Sequence, residues 1–119
     1  MKVDRGDVVL VSFPFASAKG SKVRPALVVQ SNHNNTRLAN TILVQITTNI
    51  GRADKEPTQV LIDPDASTGK TSGLLSKSAV TCENIATVDN SKVLRKIGTL
   101  SAEAIKQVND GLKASLAIT

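Results

Sequence analysis

The residues that most often carry catalysis, histidine and cysteine, occur once each in this chain, as His33 and Cys82. A mechanism that needs two histidines is therefore excluded within one chain, and so is a zinc site made by a single protomer. We expect His33 to be a loop residue and Cys82 to point into the core as a small apolar side chain. No residue has a sequence-level claim to be the base of a Cys82 nucleophile. The chain is expected to act without a metal or another cofactor.

Two loop segments resemble ligand sites only in part. Gly69-Lys70-Thr71 is similar to the end of a phosphate-binding P-loop, but Pro64 stands where that motif needs its first glycine. Asp63 could open a calcium loop, but Leu74 occupies the position of the bidentate glutamate. Both segments are expected to be surface turns.

The positive charge of the chain is confined to its first half. Residues 1–52 hold seven lysines and arginines against two acids, whereas residues 53–119 hold eight of each sign, so the net charge of +5 lies in the first part. This distribution favours a polyanionic partner, although a merely soluble basic surface has the same signature. Phe13 and Phe15 are the only aromatic residues, so a nucleic acid would be held through cations, hydroxyls and backbone groups rather than by stacking.

Short β-rich segments must position these groups. Runs of alternating or continuous apolar residues predict six strands, at Val8–Phe13, Ala26–Gln30, Thr41–Thr47, Thr58–Ile62, Ser78–Ile85 and Val93–Ile97. Ser101 is predicted to cap a final amphipathic helix whose apolar face carries Ile105, Val108, Leu112 and Leu116. The pattern predicts one domain over residues 1–119, a small, strongly bent β-barrel of α+β type with the helix packed over one opening.

Three polar loops separate the strands: Pro14–Val23, Asn49–Pro57 and Asp63–Gly73. The first is basic and contains Lys19 and Lys22. Loops on a rigid scaffold often carry binding residues. The N-terminus shows no signal peptide and no segment is long enough to span a membrane, so a reducing cytoplasm is the expected compartment.

An ordered set of short motifs resembles the MazF/PemK toxin family over nearly the whole chain. The motifs are Arg5-Gly6-Asp7-Val8-Val9, Arg24-Pro25-Ala26-Leu27-Val28-Val29, Ile46-Thr47-Thr48, Gly73-Leu74, Ser78-Ala79-Val80, Thr87-Val88-Asp89 and Ile97-Gly98-Thr99-Leu100-Ser101. No single motif is specific, but the order and spacing of the set are.

The resemblance implies an SH3-like barrel of about six to seven short strands with a C-terminal helix. It also implies a homodimer that cleaves single-stranded RNA and is neutralised by a cognate antitoxin, with DNA contacted only through the antitoxin complex and no membrane contact. The family's catalytic roles fall on Arg24 and Thr47.

The sequence departs from the family at the loop before Arg24, which lacks the glutamate often found there, so no base is expected from that loop. Ala86 stands where the family commonly has an arginine, which is expected to weaken one phosphate contact, and Lys92 stands where the family often has another arginine.

RNA supplies its own nucleophile, the 2′-hydroxyl, so the protein has to align the attack and stabilise charge. Arg24 is suited to holding the phosphate because a guanidinium is planar, charged and bidentate, and it stays protonated too firmly to be a simple base. Thr47 could hold the 2′-hydroxyl or donate to a phosphate oxygen. Further RNA contacts are predicted for Lys19, Lys22, Gln45 and Asn32, and Asp7 is expected to cap a turn.

Two other functions fit the same barrel. Toxins that trap DNA gyrase share it, so the fold alone does not decide. The altered loop and Ala86 would also suit an inactive RNA-binding module. Retention of both Arg24 and Thr47 favours the nuclease.

Overall fold

Six strands and two helices form in residues 2–14 and 21–119, the part of the chain that the computed structural model describes. The strands are β1 (Asp7–Pro14), β2 (Ser21–Val28), β3 (Asn40–Thr47), β4 (Gln59–Ile62), β5 (Ser78–Asp89) and β6 (Val93–Thr99). The helices are α1 (Asn32–Arg37) and α2 (Ala102–Leu116). The strands form one antiparallel sheet in the order β4-β5-β3-β2-β1-β6. The predicted mainly-β fold with a C-terminal helix is confirmed.

The sheet curls, but no strand ladder closes it within the described residues, since β4 and β6 remain its edges. The segment between β4 and β5 crosses the gap instead. Thr99 N donates to Thr71 O at 2.9 Å, and Thr71 Oγ1 donates to Thr99 O at 2.8 Å. The sheet is therefore not a closed barrel as predicted, and a loop that hydrogen-bonds to β6 spans the gap between its outer strands.

Both faces of the curled sheet are apolar, which explains why several strands are continuous apolar runs. The first face packs under α2. Its core cluster joins Leu100, which precedes the helix, and Ala104 and Val108 of α2 to the strand residues Val8, Leu27, Val44, Ile46, Val60, Ile62, Val80 and Cys82. The second face buries Val3, Val9, Val11, Phe13, Ala26, Val28, Leu43, Val88 and Val93. Helix α2 covers the first face, and the curling of the sheet encloses the second, so the apolar side chains of both faces are removed from water.

Helix α2 begins as the sequence predicts and ends differently. Ser101 Oγ accepts a hydrogen bond from Ala104 N at 3.2 Å, so the predicted cap is confirmed. Val108 is fully buried, and the helix contacts β4 and β5. Leu116 is 56% exposed, so its predicted place on the buried face is wrong. The helix terminates at Ala117, whose left-handed backbone (φ 55°) turns the chain away just after Leu116.

Gly111 lies inside α2 because Cys82 leaves no room for a side chain. A Cβ at position 111 would stand 2.9 Å from Cys82 Sγ. Alanine would gain about 1 kcal/mol in helix propensity, but we expect Gly111→Ala to destabilise the protein by about 1–2 kcal/mol because the packed core has to shift. Urea unfolding checks this value. In a Cys82→Ala background the same change should become neutral or stabilising, and stabilisation in the wild-type background would contradict the packing.

Three elements differ most from the predicted ones. Strand β5 runs on to Asp89 rather than ending at Ile85. Strand β2 begins at Ser21 and ends at Val28 rather than spanning Ala26–Gln30, because β1 pairs with it from its first residue. Residues 21–23 of the predicted basic loop therefore belong to β2, and Lys19 falls outside the described residues. Helix α1 was not predicted, and it contains His33, which is exposed and lies in a helix rather than in a loop.

Candidate functional site

A bulge in β5 shapes the candidate site. Val44 of β3 pairs with Ile85, but the next residue, Gln45, pairs with Thr81. Three residues of β5, 82–84, therefore have no partner on β3. Bulges re-aim side chains and bend the strand that contains them. Here the bulge buries Cys82 in the core and places Glu83 and Asn84 on the surface.

A polar cleft of about 500 Å³ opens beside this bulge. Its floor is one row across three strands, in which Gln45 pairs with Thr81 and Thr81 with Gln59. Residues directly opposite in an antiparallel pair project to the same face. The cleft is lined by Gln45, Thr47, Asn49, Gly51, Arg52, Gln59, Thr81 and Asn84. Hydroxyl and amide groups dominate this lining, so the cleft is suited to a polar ligand.

The cleft side chains are held by hydrogen bonds. Thr47 Oγ1 accepts from Asn49 N at 3.1 Å, which fixes the threonine and leaves its own proton to donate. Thr81 Oγ1 donates to Gln45 O at 2.7 Å and accepts from Asn84 Nδ2 at 3.1 Å. The predicted residues Thr47 and Gln45 are thus brought together in one ordered site.

Arg24 lies on β2, the strand next to β3, which contains Thr47. The β2–β3 ladder pairs Ala26 with Gln45, and the same register continued by two residues puts Arg24 opposite Thr47. The ladder begins only at Ala26, one residue after Pro25, which has no N–H to donate. The Arg24 side chain is exposed, and Lys22, two residues earlier on β2, projects to the same face and is also exposed.

Asn32 is placed away from this group. Its Oδ1 accepts from Arg5 N at 2.7 Å and from Asn35 Nδ2 at 3.3 Å. Helix α1 is held beside the start of β3 by the Thr41–Asn35 hydrogen bond, whereas Thr47 is the last residue of that strand, roughly 23 Å further along at the usual rise. An RNA contact by Asn32 stays a prediction for a distant part of the substrate.

Asp7 is buried, and both of its carboxylate oxygens are bonded to other residues of the fold. It is 5% exposed, and its Oδ2 accepts from Asp4 N at 2.9 Å. Lys96 Nζ lies 3.2 Å from Asp7 Oδ1 and compensates the buried charge. The carboxylate therefore caps the turn before β1, as expected.

A second cleft, of about 600 Å³, lies beyond the end of β3. Thr48 lines it, whereas its neighbour Thr47 lines the polar cleft. Arg95 and Lys96 contribute positive charge to walls that are otherwise largely apolar, formed by residues including Leu10, Pro25, Leu74, Leu75 and Ile97. Leu75 is completely exposed at this groove. An exposed apolar surface beside cations is typical of a protein-binding groove.

The Cys82 thiol is unsuited to catalysis. Burial raises its pKa to about 11, and the neighbouring Glu83 carboxylate adds to the rise. The thiol thus stays protonated at neutral pH, in agreement with its expected place in the core.

This pKa predicts an alkaline loss of stability. A thiol whose pKa is higher in the folded than in the unfolded protein adds to the free energy of unfolding. This contribution is complete below about pH 9 and falls as the pH rises toward 11. We expect the loss to approach roughly 2–3 kcal/mol. Urea unfolding between pH 8 and 11 measures it, with Cys82→Ala as the control. An equal alkaline loss in that variant would contradict the assignment.

Sequence reasoning missed several cleft residues, namely Asn49, Arg52, Gln59, Thr81 and Asn84. Gln59 could have been found, because it alternates with Val60 and Ile62 in a predicted strand and so faces away from the core. Asn84 could not, because its orientation depends on the bulge, which has no alternating signature.

Two negative findings apply to residues 2–14 and 21–119. No helix there is both long and apolar enough to cross a bilayer. No group of three or more metal-ligating side chains comes together in the same part of the chain.

The fold and the sequence both have known relatives. The chain is 34% identical to Endoribonuclease EndoA of Bacillus subtilis, over 99% of this chain and 97% of that protein. It is 31% identical to Endoribonuclease MazF of Staphylococcus saprophyticus, over 96% and 91%. A mycobacterial endoribonuclease solved in complex with its cognate antitoxin has the same fold, with a TM-score of 0.79, 21% identity and coverage of 98% and 97%. Residues 4–116 match the family described as PemK-like, MazF-like toxin of type II toxin–antitoxin systems. The chain therefore belongs to this toxin family.

Proposed function

We propose that the protein is a toxin that cleaves single-stranded RNA internally and acts as one domain. Its near full-length similarity to two proteins named endoribonucleases, at 34% and 31% identity, is the observation that carries this activity. The polar cleft that contains Thr47, next to the strand that carries Arg24, supplies a site of the right chemistry.

The reaction that suits this site is attack of the substrate's 2′-hydroxyl on the adjacent phosphorus. The 2′-oxygen–phosphorus bond forms and the bond from phosphorus to the 5′-oxygen breaks. The 2′-hydroxyl loses a proton and the departing 5′-oxygen gains one, so the products are a 2′,3′-cyclic phosphate and a 5′-hydroxyl. Arg24 would neutralise the charge that grows on the phosphoryl oxygens, and Thr47 would donate its remaining proton to the same group.

Metal independence is part of the proposal. Only one histidine and one cysteine occur in the sequence. His33 lies in α1 and Cys82 is buried, so neither lines the polar cleft. Buried, protonated Cys82 also suits the cytoplasm, which we propose as the site of action.

Incubating the purified protein with mixed-sequence single-stranded RNA in excess EDTA tests this function. We expect fragments with cyclic phosphate ends and with 5′-hydroxyls that polynucleotide kinase labels without prior phosphatase treatment. Intact but retarded RNA would indicate a binding module, and inhibition of DNA supercoiling without RNA cutting would indicate a gyrase poison. Either result would overturn the proposal.

We also propose that the toxin forms a homodimer, is neutralised by a cognate antitoxin and meets DNA only through that complex. The apolar groove beside Arg95 and Lys96, with fully exposed Leu75, supports a protein partner. Light scattering measures the dimer, and a stable monomer at micromolar concentration would oppose it.

A further inference from the structure

The polar cleft is built for a nucleobase rather than for a phosphate. Among the described residues that line it, the only lysine or arginine is Arg52, whose guanidinium lies 3.5 Å from the Glu56 carboxylate. The remaining groups are amides, hydroxyls and backbone, which exchange hydrogen bonds with base edges. Since Thr47 lines the same cleft, a base bound there would be close to the cleaved phosphate.

Glu83 fixes the orientation of the Gln59 amide. Gln59 Nε2 donates to Glu83 Oε2 at 2.8 Å. Burial opposes the charged form of Glu83, but hydrogen bonds from Gln59, from its own backbone N–H and from Thr58 outweigh this and hold its pKa below the ordinary value. The group is a carboxylate at neutral pH and can only accept, so the amide nitrogen must face it. Gln59 Oε1 is then directed away from Glu83. It is buried and, within the described residues, receives no hydrogen bond, so a base reaches it when the Gln59 side chain shifts toward the cleft.

Thr81 fixes the Asn84 amide in the same sense. The Thr81 hydroxyl gives its only proton to Gln45 O, so toward Asn84 it can only accept. Asn84 Nδ2 donates to it at 3.1 Å. The nitrogen of Asn84 is therefore used inside the protein, and its Oδ1 is the end left for a ligand.

We propose that Gln59 Oε1 and Asn84 Oδ1 form an acceptor pair that reads the exocyclic amine of one unpaired base beside the cleavage site. Adenine, cytosine and guanine each carry such an amine. Uracil carries no amine. Its carbonyl oxygens would oppose the amide oxygens, and its single N3–H could pair with at most one of the two. This inference rests on the proposed ribonuclease function and adds a base preference to it.

The test removes one amine at a time from the substrate. Short RNAs with all four bases at each position around the cut first locate the position at which uracil is disfavoured. At that position purine ribonucleoside replaces adenosine, 2-pyrimidinone ribonucleoside replaces cytidine, or inosine replaces guanosine. We expect loss of the amine to lower kcat/KM about tenfold or more, since a site built for a donor leaves its acceptors unpaired without one.

Variants of the acceptor pair should remove this amine effect. In Gln59→Met and Asn84→Leu the penalty for deleting the amine should fall to about twofold. Glu83→Gln tests orientation, because glutamine also donates and lets the Gln59 amide rotate, so discrimination against uracil should relax. Thr87→Leu, at an exposed position of β5 outside the cleft, is the matched control and should keep the full effect.

The outcomes separate this inference from the proposed function. RNA that is cut equally with uracil and with amine-bearing bases at every position would overturn the acceptor pair while the nuclease stands. If no RNA is cut, the nuclease fails, and the affinity of labelled oligonucleotides for the folded protein decides the base preference. Equal affinity with and without the amine would then overturn it, and thermal unfolding verifies that each variant is folded.

Discussion

Arg24→Ala is expected to lower kcat/KM for single-stranded RNA about 100- to 1000-fold, the usual cost of removing one donor to transition-state charge. Its guanidinium is exposed on β2 in register with Thr47, so stability should change by less than about 1 kcal/mol. Single-turnover cleavage of one defined RNA, alongside thermal unfolding, separates the two effects. Arg24→Lys should recover little, because an ammonium cannot hold two phosphate oxygens at once.

The control for Arg24 is its neighbour on the same strand face. Lys22→Ala also removes an exposed positive charge, but Lys22 is predicted to contact only a flanking phosphate. We expect a change of a few-fold that shrinks as salt is raised. Comparable losses in the two variants would point to general electrostatic attraction, and unimpaired cleavage by Arg24→Ala would remove this residue from the mechanism.

Gly73→Ala should destabilise the fold by more than about 3 kcal/mol, because two independent constraints meet there. The backbone has a positive φ of 75°, and a Cβ would overlap the carbonyl group of Ile97. This close approach occurs where the segment between β4 and β5 crosses β6. Urea unfolding measures the loss. Gly51→Ala is the control, since a Cβ there would lie at an ordinary 3.6 Å from Asn49 Oδ1 and the φ of Gly51 is not positive. Equal stability of the two variants would refute the tight crossing.

The strands were predictable because the pattern of their apolar residues indicates which side chains are buried. Helix α1 was not predictable in this way. Residues 32–37 contain no apolar periodicity. This helix is held by a buried polar network in which Asn35 Oδ1 accepts from Gln30 Nε2 at 2.9 Å and from Thr41 Oγ1 at 2.8 Å. Polar networks depend on the pairing of distant residues, which a linear pattern does not encode.

The candidate site, like the fold, was predictable only in part. Gln45 and Thr47 are two residues apart in the predicted third strand and therefore share one face of β3, and the family resemblance selected Arg24 and Thr47. The resemblance did not reveal the amides of Gln59 and Asn84, because their significance comes from which ends of the two groups are already used within the protein. That information exists only after β3, β4 and β5 have come together.

The three residues of β5 that have no partner on β3, 82–84, can change in number without altering the pairing on either side of them. An insertion or deletion of one codon within 82–84 would add or remove one of these unpaired residues. In the proposed reading of the base, it would change which side chain faces the base. Arg24 and Thr47 lie on other strands and would keep their positions. With the base read as proposed above, such single changes would give this chain a route to new target sequences.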